Sequence, residues 1–133
     1  MQISSEKIPL GIKISNKEPY NVFVVDDSPT VRHIIKRSFI RLSFNIIGEA
    51  GNGEQAMERL KQAPILPDIV CIDQEMPIMN GTQTIKELKK YFPNLKIIFI
   101  TSHAEGHFVK EVLQLGVHSY IVKPFDLESL TRD

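Results

Sequence analysis

Asp26 and Asp27 follow directly on four apolar residues in the stretch VFVVDDSPT, residues 22–30. Adjacent carboxylates at the end of a buried run repel, and each raises the pKa of the other unless a positive charge lies near. Such a pair is tolerated in one of two ways: both acids point into water from a loop, or both hold a cation. Other polar groups also follow apolar runs. Asp73 follows IVCI, Thr101 and Ser102 follow IIFI, and Lys123-Pro124 follow YIV. Each alone has an ordinary reading, as a solvated acid, a helix cap or a turn. Together they supply three carboxylates, hydroxyls and an ammonium. What these groups do depends on whether the fold brings them to one place.

Short apolar runs at 22–25, 46–47, 69–72, 97–100 and 120–122 alternate with helical patterns. Three of the runs are continuously apolar, as in strands covered on both faces. The first helix has the clearest signal: Val31, Ile34, Ile35, Ser38, Phe39 and Leu42 fall on one stripe. Ser28 is placed to cap it, with Pro29 in its first turn. Further helices are predicted over 54–62 (Ala56, Met57 and Leu60 inward), 82–92 (Ile85, Leu88 and Phe92 inward) and 105–115, the last ended by Gly116. A fifth starts near Asp126. Strand-helix alternation of this kind implies an α/β fold, a parallel sheet with helices on both faces joined by right-handed crossovers. The flavodoxin-like, doubly wound version has five strands in the order 2-1-3-4-5 and a site where the order reverses. The polar strand ends agree with that order. Strand 2 ends instead in Ala50-Gly51, as suits an outer strand.

In a parallel sheet all these strand ends share one edge, so the acids, Thr101 and Lys123 converge. A divalent cation removes the repulsion among the acids. Oxygen-only ligands favour a hard ion such as Mg²⁺ (or Mn²⁺), which takes one or two carboxylates, waters and a phosphate. No His or Cys cluster with zinc-type spacing competes at this edge. His103 and His107 stand four apart but have no third soft ligand nearby in sequence, so they are not read as a metal pair. His33 and His118 read as surface or packing residues, and Cys71, the only cysteine, as an inert thiol in a buried strand.

Four segments resemble the receiver domain of bacterial two-component response regulators: Asp26-Asp27, IVCIDQEMPIMNG (69–81), IIFITS (97–102) and LGVHSYIVKPF (115–125). The resemblance covers about residues 21–130. It implies that Asp73 accepts a phosphoryl group from a phosphohistidine. It implies Mg²⁺ bound by Asp26, Asp27, Asp73 and the backbone carbonyl of Glu75, with Thr101 and Lys123 contacting the phosphoryl group. Thr101 and Tyr120 would act as the switch: Thr101 is drawn toward the phosphoryl group, Tyr120 rotates inward, and the face formed by the fourth helix, strand 5 and the fifth helix changes. Lys123 would be aimed by a cis bond to Pro124. Glu75 and His103 occupy places that, in the family, flank the phosphoryl group and tune its hydrolysis; an acid at Glu75 adds negative charge to the mouth of the site. The implied partners are a sensor histidine kinase or phosphotransfer protein, an output partner at the switching face, and a second copy of the chain in a phosphorylation-dependent homodimer.

The bulk properties agree with one domain. The chain has 133 residues, 42% hydrophobic and 24% charged, with 16 basic and 16 acidic residues. Zero net charge gives no support for nucleic-acid binding through a basic surface. No apolar run is long enough to span a membrane and no signal peptide is evident, so a cytoplasmic protein is expected. Residues 1–20 read as an extension, loosely docked or disordered, with a strand-like alternation at 10–14. Residues 21–133 read as the domain, its fifth helix short or truncated. Two other functions remain open. One is a degenerate receiver acting as a phosphorylation-independent interaction module. The other is a phosphatase with an aspartate nucleophile, for which Asp73-Gln74-Glu75 offers the second acid.

Overall fold

The computed structural model describes residues 18–101 and 106–122. The strand-like alternation at 10–14, the fifth helix, His103, Lys123 and the Lys123-Pro124 bond lie outside the described residues, as does the side chain of His107. The elements run β1 (Asn21–Val25), α1 (Pro29–Arg41), β2 (Asn45–Ala50), α2 (Gly53–Gln62), β3 (Ile69–Asp73), α3 (Gly81–Tyr91), β4 (Lys96–Thr101), α4 (Gly106–Gln114) and β5 (Ser119–Val122). All four strand pairings are parallel, and the sheet order is β2-β1-β3-β4-β5. This is the expected doubly wound order.

Alternation along the strands builds two cores. Val22 and Val24 of β1 pack with Ile69 and Cys71 of β3 against Ile35 and Phe39 of α1. Phe23 and Val25 face the other way, toward Met57 and Leu60 of α2 and Ile85 and Leu88 of α3. Because successive strand side chains point to opposite faces, a sheet covered on both sides needs apolar residues at every position. That is why β1, β3 and β4 read as unbroken apolar runs.

Local chemistry sets where the helices begin. The Ser28 hydroxyl accepts from Val31 N at 3.2 Å, and Pro29 occupies the first turn, where a missing N–H costs nothing. Asn80 starts α3 through a reciprocal cap: its side chain accepts from Gln83 N, and the Gln83 side chain accepts from Asn80 N. Gly116 takes φ +91° just after α4, the left-handed conformation that ends a helix.

One expectation needs correction. Ile34 does not belong to the inner stripe of α1, being 53% exposed; only Ile35 and Phe39 are fully buried there, with Val31 and Leu42 packed at the margin. The contact between α1 and the sheet is narrower than a six-residue stripe. Strand β2 runs six residues, from Asn45 to Ala50, and ends where the sequence places it. As an edge strand paired only to β1, it does not need continuous apolar character.

Candidate functional site

The parallel register brings the acids together. Val25 pairs with Ile72, so the next residues, Asp26 just past β1 and Asp73 at the end of β3, stand at one level. Asp27 joins them: one carboxylate oxygen from each of Asp26, Asp27 and Asp73 lies within 4.8 Å of the others. Asp26 and Asp73 are 1% and 2% exposed, whereas Asp27 is exposed. The sequence expectation for this trio is met in space.

Asp26 is fixed at three of its atoms. Its N–H donates to Ala50 O at 3.1 Å, its carbonyl accepts from Arg32 Nη1 at 2.6 Å, and its Oδ1 accepts from Ser28 N at 2.9 Å. Among the described residues no hydrogen-bond donor reaches its other carboxylate oxygen, Oδ2, or Asp73 Oδ1, both buried atoms; both residues have other interactions. Buried carboxylates are costly unless they are paired or bind a cation.

The loop after Asp73 is tightly tied. Gln74 N donates to Ile100 O at 2.9 Å, and the Gln74 carbonyl and side chain accept from Gly81 N and Thr82 N. Gly81 is required by close approach: a Cβ there would fall 2.7 Å from both Asp73 O and Phe99 Cε1. Within this loop Ile78 holds φ +70° and is 73% exposed, a strained conformation for a β-branched side chain. Glu75 is exposed in the same loop.

Thr101 ends β4 one residue beyond the Asp73–Ile100 pair and is buried. Tyr120 is also buried, 5% exposed, among the core residues on the side of α2 and α3. The sequence reading has Tyr120 turn inward on activation; here it is already packed inward. Burial pushes the Cys71 thiol well up, and the nearby Asp26 and Asp73 carboxylates push it further.

Sequence reading missed two groups that bear on the site. Arg32 holds the Asp26 carbonyl, and Glu49 on β2 holds Arg32, with Nε to Oε1 at 2.8 Å. Their signal was an arginine one turn into α1 and an acid on an edge strand, which only the register connects.

Comparison with known proteins agrees with this geometry. The profile of the response regulator receiver domain family matches residues 22–133. The chemotaxis protein CheY of Thermotoga maritima is 39% identical over 104 residues, 78% of this chain and 85% of that protein. The Bacillus subtilis CheY is 33% identical, with 82% of this chain and 89% of that protein covered. Among solved structures, a CheX–CheY–BeF₃–Mg²⁺ complex from Borrelia burgdorferi superposes with a TM-score of 0.82 at 32% identity, covering 90% of each chain. With its sheet order, its clustered strand-end acids and these relatives, the chain belongs to the response regulator receiver domain family, the CheY-like signalling domains of two-component systems.

Proposed function

We propose that Asp73 accepts a phosphoryl group from the phosphohistidine of a sensor histidine kinase or phosphotransfer protein. The observation that carries this reading is the gathering of Asp26, Asp27 and Asp73 oxygens within 4.8 Å, with two of the three residues buried. Carboxylates gathered this closely raise one another's pKa, and a bound cation relieves that conflict. The donor set fits Mg²⁺, or Mn²⁺ in its place: it is all oxygen, from three carboxylates of which two are buried. The residues that would hold the ion are Asp26, Asp27, Asp73 and, through its backbone carbonyl, Glu75. When bound, the ion neutralises the acids and stabilises charge on the phosphoryl oxygens in transit.

The chain's own residues then divide the work. A carboxylate oxygen of Asp73 forms the bond to phosphorus as the P–N bond to the donor histidine breaks; the donor ring, protonated on its other nitrogen, keeps the P–N electron pair and leaves as neutral imidazole, and an acyl phosphate remains on Asp73. Thr101 donates its hydroxyl to the transferred group. Lys123 pairs with it as a point charge. Drawing Thr101 toward the phosphoryl group opens space beside β5, and the inward packing of Tyr120 is favoured there. With Tyr120 inward in the present structure, the switch is a shift in how often it leaves. A useful bias needs roughly 1–3 kcal/mol of coupling. The face of α4, β5 and the fifth helix then changes for an output partner or a second copy of the chain. Glu75 and His103 set water access at the mouth of the site; if Glu75→Asn and His103→Ala both leave the acyl-phosphate lifetime unchanged, that role is wrong.

Residues 21–133 act as the receiver and 1–20 as an extension, in the cytoplasm where the donor kinase presents its histidine. No described helix is long and apolar enough to cross a membrane. The test is intact-mass measurement after treatment with acetyl phosphate and Mg²⁺. One added phosphoryl group, absent from Asp73→Asn, supports the reading. A chain that takes none acts instead as a phosphorylation-independent module, and sustained turnover of a generic phosphoester marks a phosphatase.

A further inference from the structure

We propose that Arg32 is a positioning residue for the acidic site: braced by Glu49, it fixes the Asp26 backbone and so the placement of the Asp26 carboxylate toward the cation. This inference rests on the reading that the acid cluster binds a divalent ion.

Three hydrogen bonds among the described residues fix Asp26, one from the end of β2 and two from α1 and its cap. Ala50 O at the end of β2 accepts from its N–H, Ser28 N at the start of α1 donates to Oδ1, and Arg32 Nη1, one turn into α1, donates to its carbonyl at 2.6 Å. Of these three, the Arg32 contact alone comes from a long side chain. Left alone, such a side chain would sample many rotamers. Glu49 removes that freedom. Its Oε1 accepts from Arg32 Nε at 2.8 Å, and its Oε2 accepts from Lys36 Nζ at 2.5 Å. Arginine's planar fork is what lets one side chain hold Glu49 through Nε and Asp26 through Nη1 together. The three side chains are 18%, 26% and 35% exposed for Arg32, Lys36 and Glu49, so the brace is partly shielded from water. The Lys36 contact, with smaller help from Arg32, holds the Glu49 carboxyl below its ordinary range.

The sign of one effect separates positioning from simple electrostatics. A guanidinium near a cation site repels the cation, so deleting it should tighten Mg²⁺ binding if charge alone matters. If Arg32 positions a ligand, deleting it should weaken Mg²⁺ binding despite the lost repulsion. Groups that orient metal ligands from outside typically change affinity by about 10–100-fold.

The experiment is calorimetric titration of the full chain with Mg²⁺, for wild type, Arg32→Ala, Glu49→Gln, the double variant and Lys36→Met, each checked for folding by thermal melt. Arg32→Ala is expected to weaken Mg²⁺ binding about ten-fold. Lys36→Met, which removes a cation from the same cluster without touching Asp26, leaves binding equal or slightly tighter. Glu49→Gln weakens it, and adding Glu49→Gln to Arg32→Ala changes nothing more, because Glu49 acts through Arg32. Should Arg32→Ala fail to fold, Arg32→Lys keeps the charge but loses the fork, and it is expected to bind several-fold more weakly. Equal or tighter binding by the folded Arg32 variant, or additive losses in the double variant, overturns the inference. A wild type that binds no Mg²⁺ overturns the underlying metal-site reading instead.

Discussion

β3 and β2 belong to one sheet, with β1 between them, yet their surroundings differ sharply. All five residues of β3 are buried, and ladders to β1 and β4 hold its backbone on both sides. β2 is an edge strand with one partner, a register shift opposite Val22 and Phe23, and a single buried residue, Ala50. Asp73, the acceptor proposed above, sits on the fully buried strand held by two ladders. Glu49, which braces another residue, sits on the partly exposed edge strand. A group that must meet an incoming phosphorus needs a fixed carboxylate, because small misplacements are costly in rate. A brace working through a long side chain tolerates a looser base.

That contrast can be tested from its strongest consequence down. Asp73→Asn is expected to abolish phosphoryl incorporation altogether, read by intact mass; incorporation that persists would move the acceptor elsewhere. Next comes packing. Ile72 is 0% exposed and Ile47 is 38% exposed. Ile72→Ala should cost about 2–5 kcal/mol in urea unfolding, and Ile47→Ala under about 1 kcal/mol. Equal costs would mean that the rim is as tightly built as the centre. Gly81→Ala forces a methyl against Asp73 O and Phe99, and should cost about 1–3 kcal/mol by overpacking. A neutral outcome would show that the end of β3 yields more readily than its burial suggests. Ile78→Gly should do the reverse and stabilise by about 1 kcal/mol, since the left-handed backbone at Ile78 penalises a Cβ; a loss would mean that the exposed side chain contributes packing.

The smallest effect concerns β2. The Lys36 contact lowers the Glu49 pKa in the folded chain. The contribution of this brace is therefore complete above the unfolded carboxylate value of about 4.3 and is lost as pH falls through the lower folded value. Partial exposure limits it to less than about 1 kcal/mol. The Tm gap between wild type and Glu49→Gln should narrow on acidification through that range. A gap that stays constant would assign the effect to packing.

The same contrast explains what could be read from sequence. Strands β1, β3 and β4 announced themselves because burial on both faces demands unbroken apolar runs, and Asp26, Asp27 and Asp73 stood out because each ends or follows one. At β2 only Ile46 and Ile47 gave a signal, since an edge strand accommodates Gly48 and Glu49 as well. Ile34 looked inward from its spacing, but the area of contact between α1 and the sheet is a tertiary quantity. The Arg32–Glu49 brace joins residues 17 apart across two elements, and no local pattern encodes such a pair. The need for glycine at Gly81 comes from Phe99 and Asp73 O, which arrive from neighbouring strands.

Cys71 has a practical use that follows from its place. It is the only cysteine, it is buried in β3, and burial together with two nearby acids keeps it protonated. A thiol-labelling reagent therefore reacts only with molecules whose sheet has come apart at its middle. The wild-type chain carries its own stopwatch for opening, and timing the label with and without Mg²⁺ would show how firmly the ion latches the two sides of the sheet.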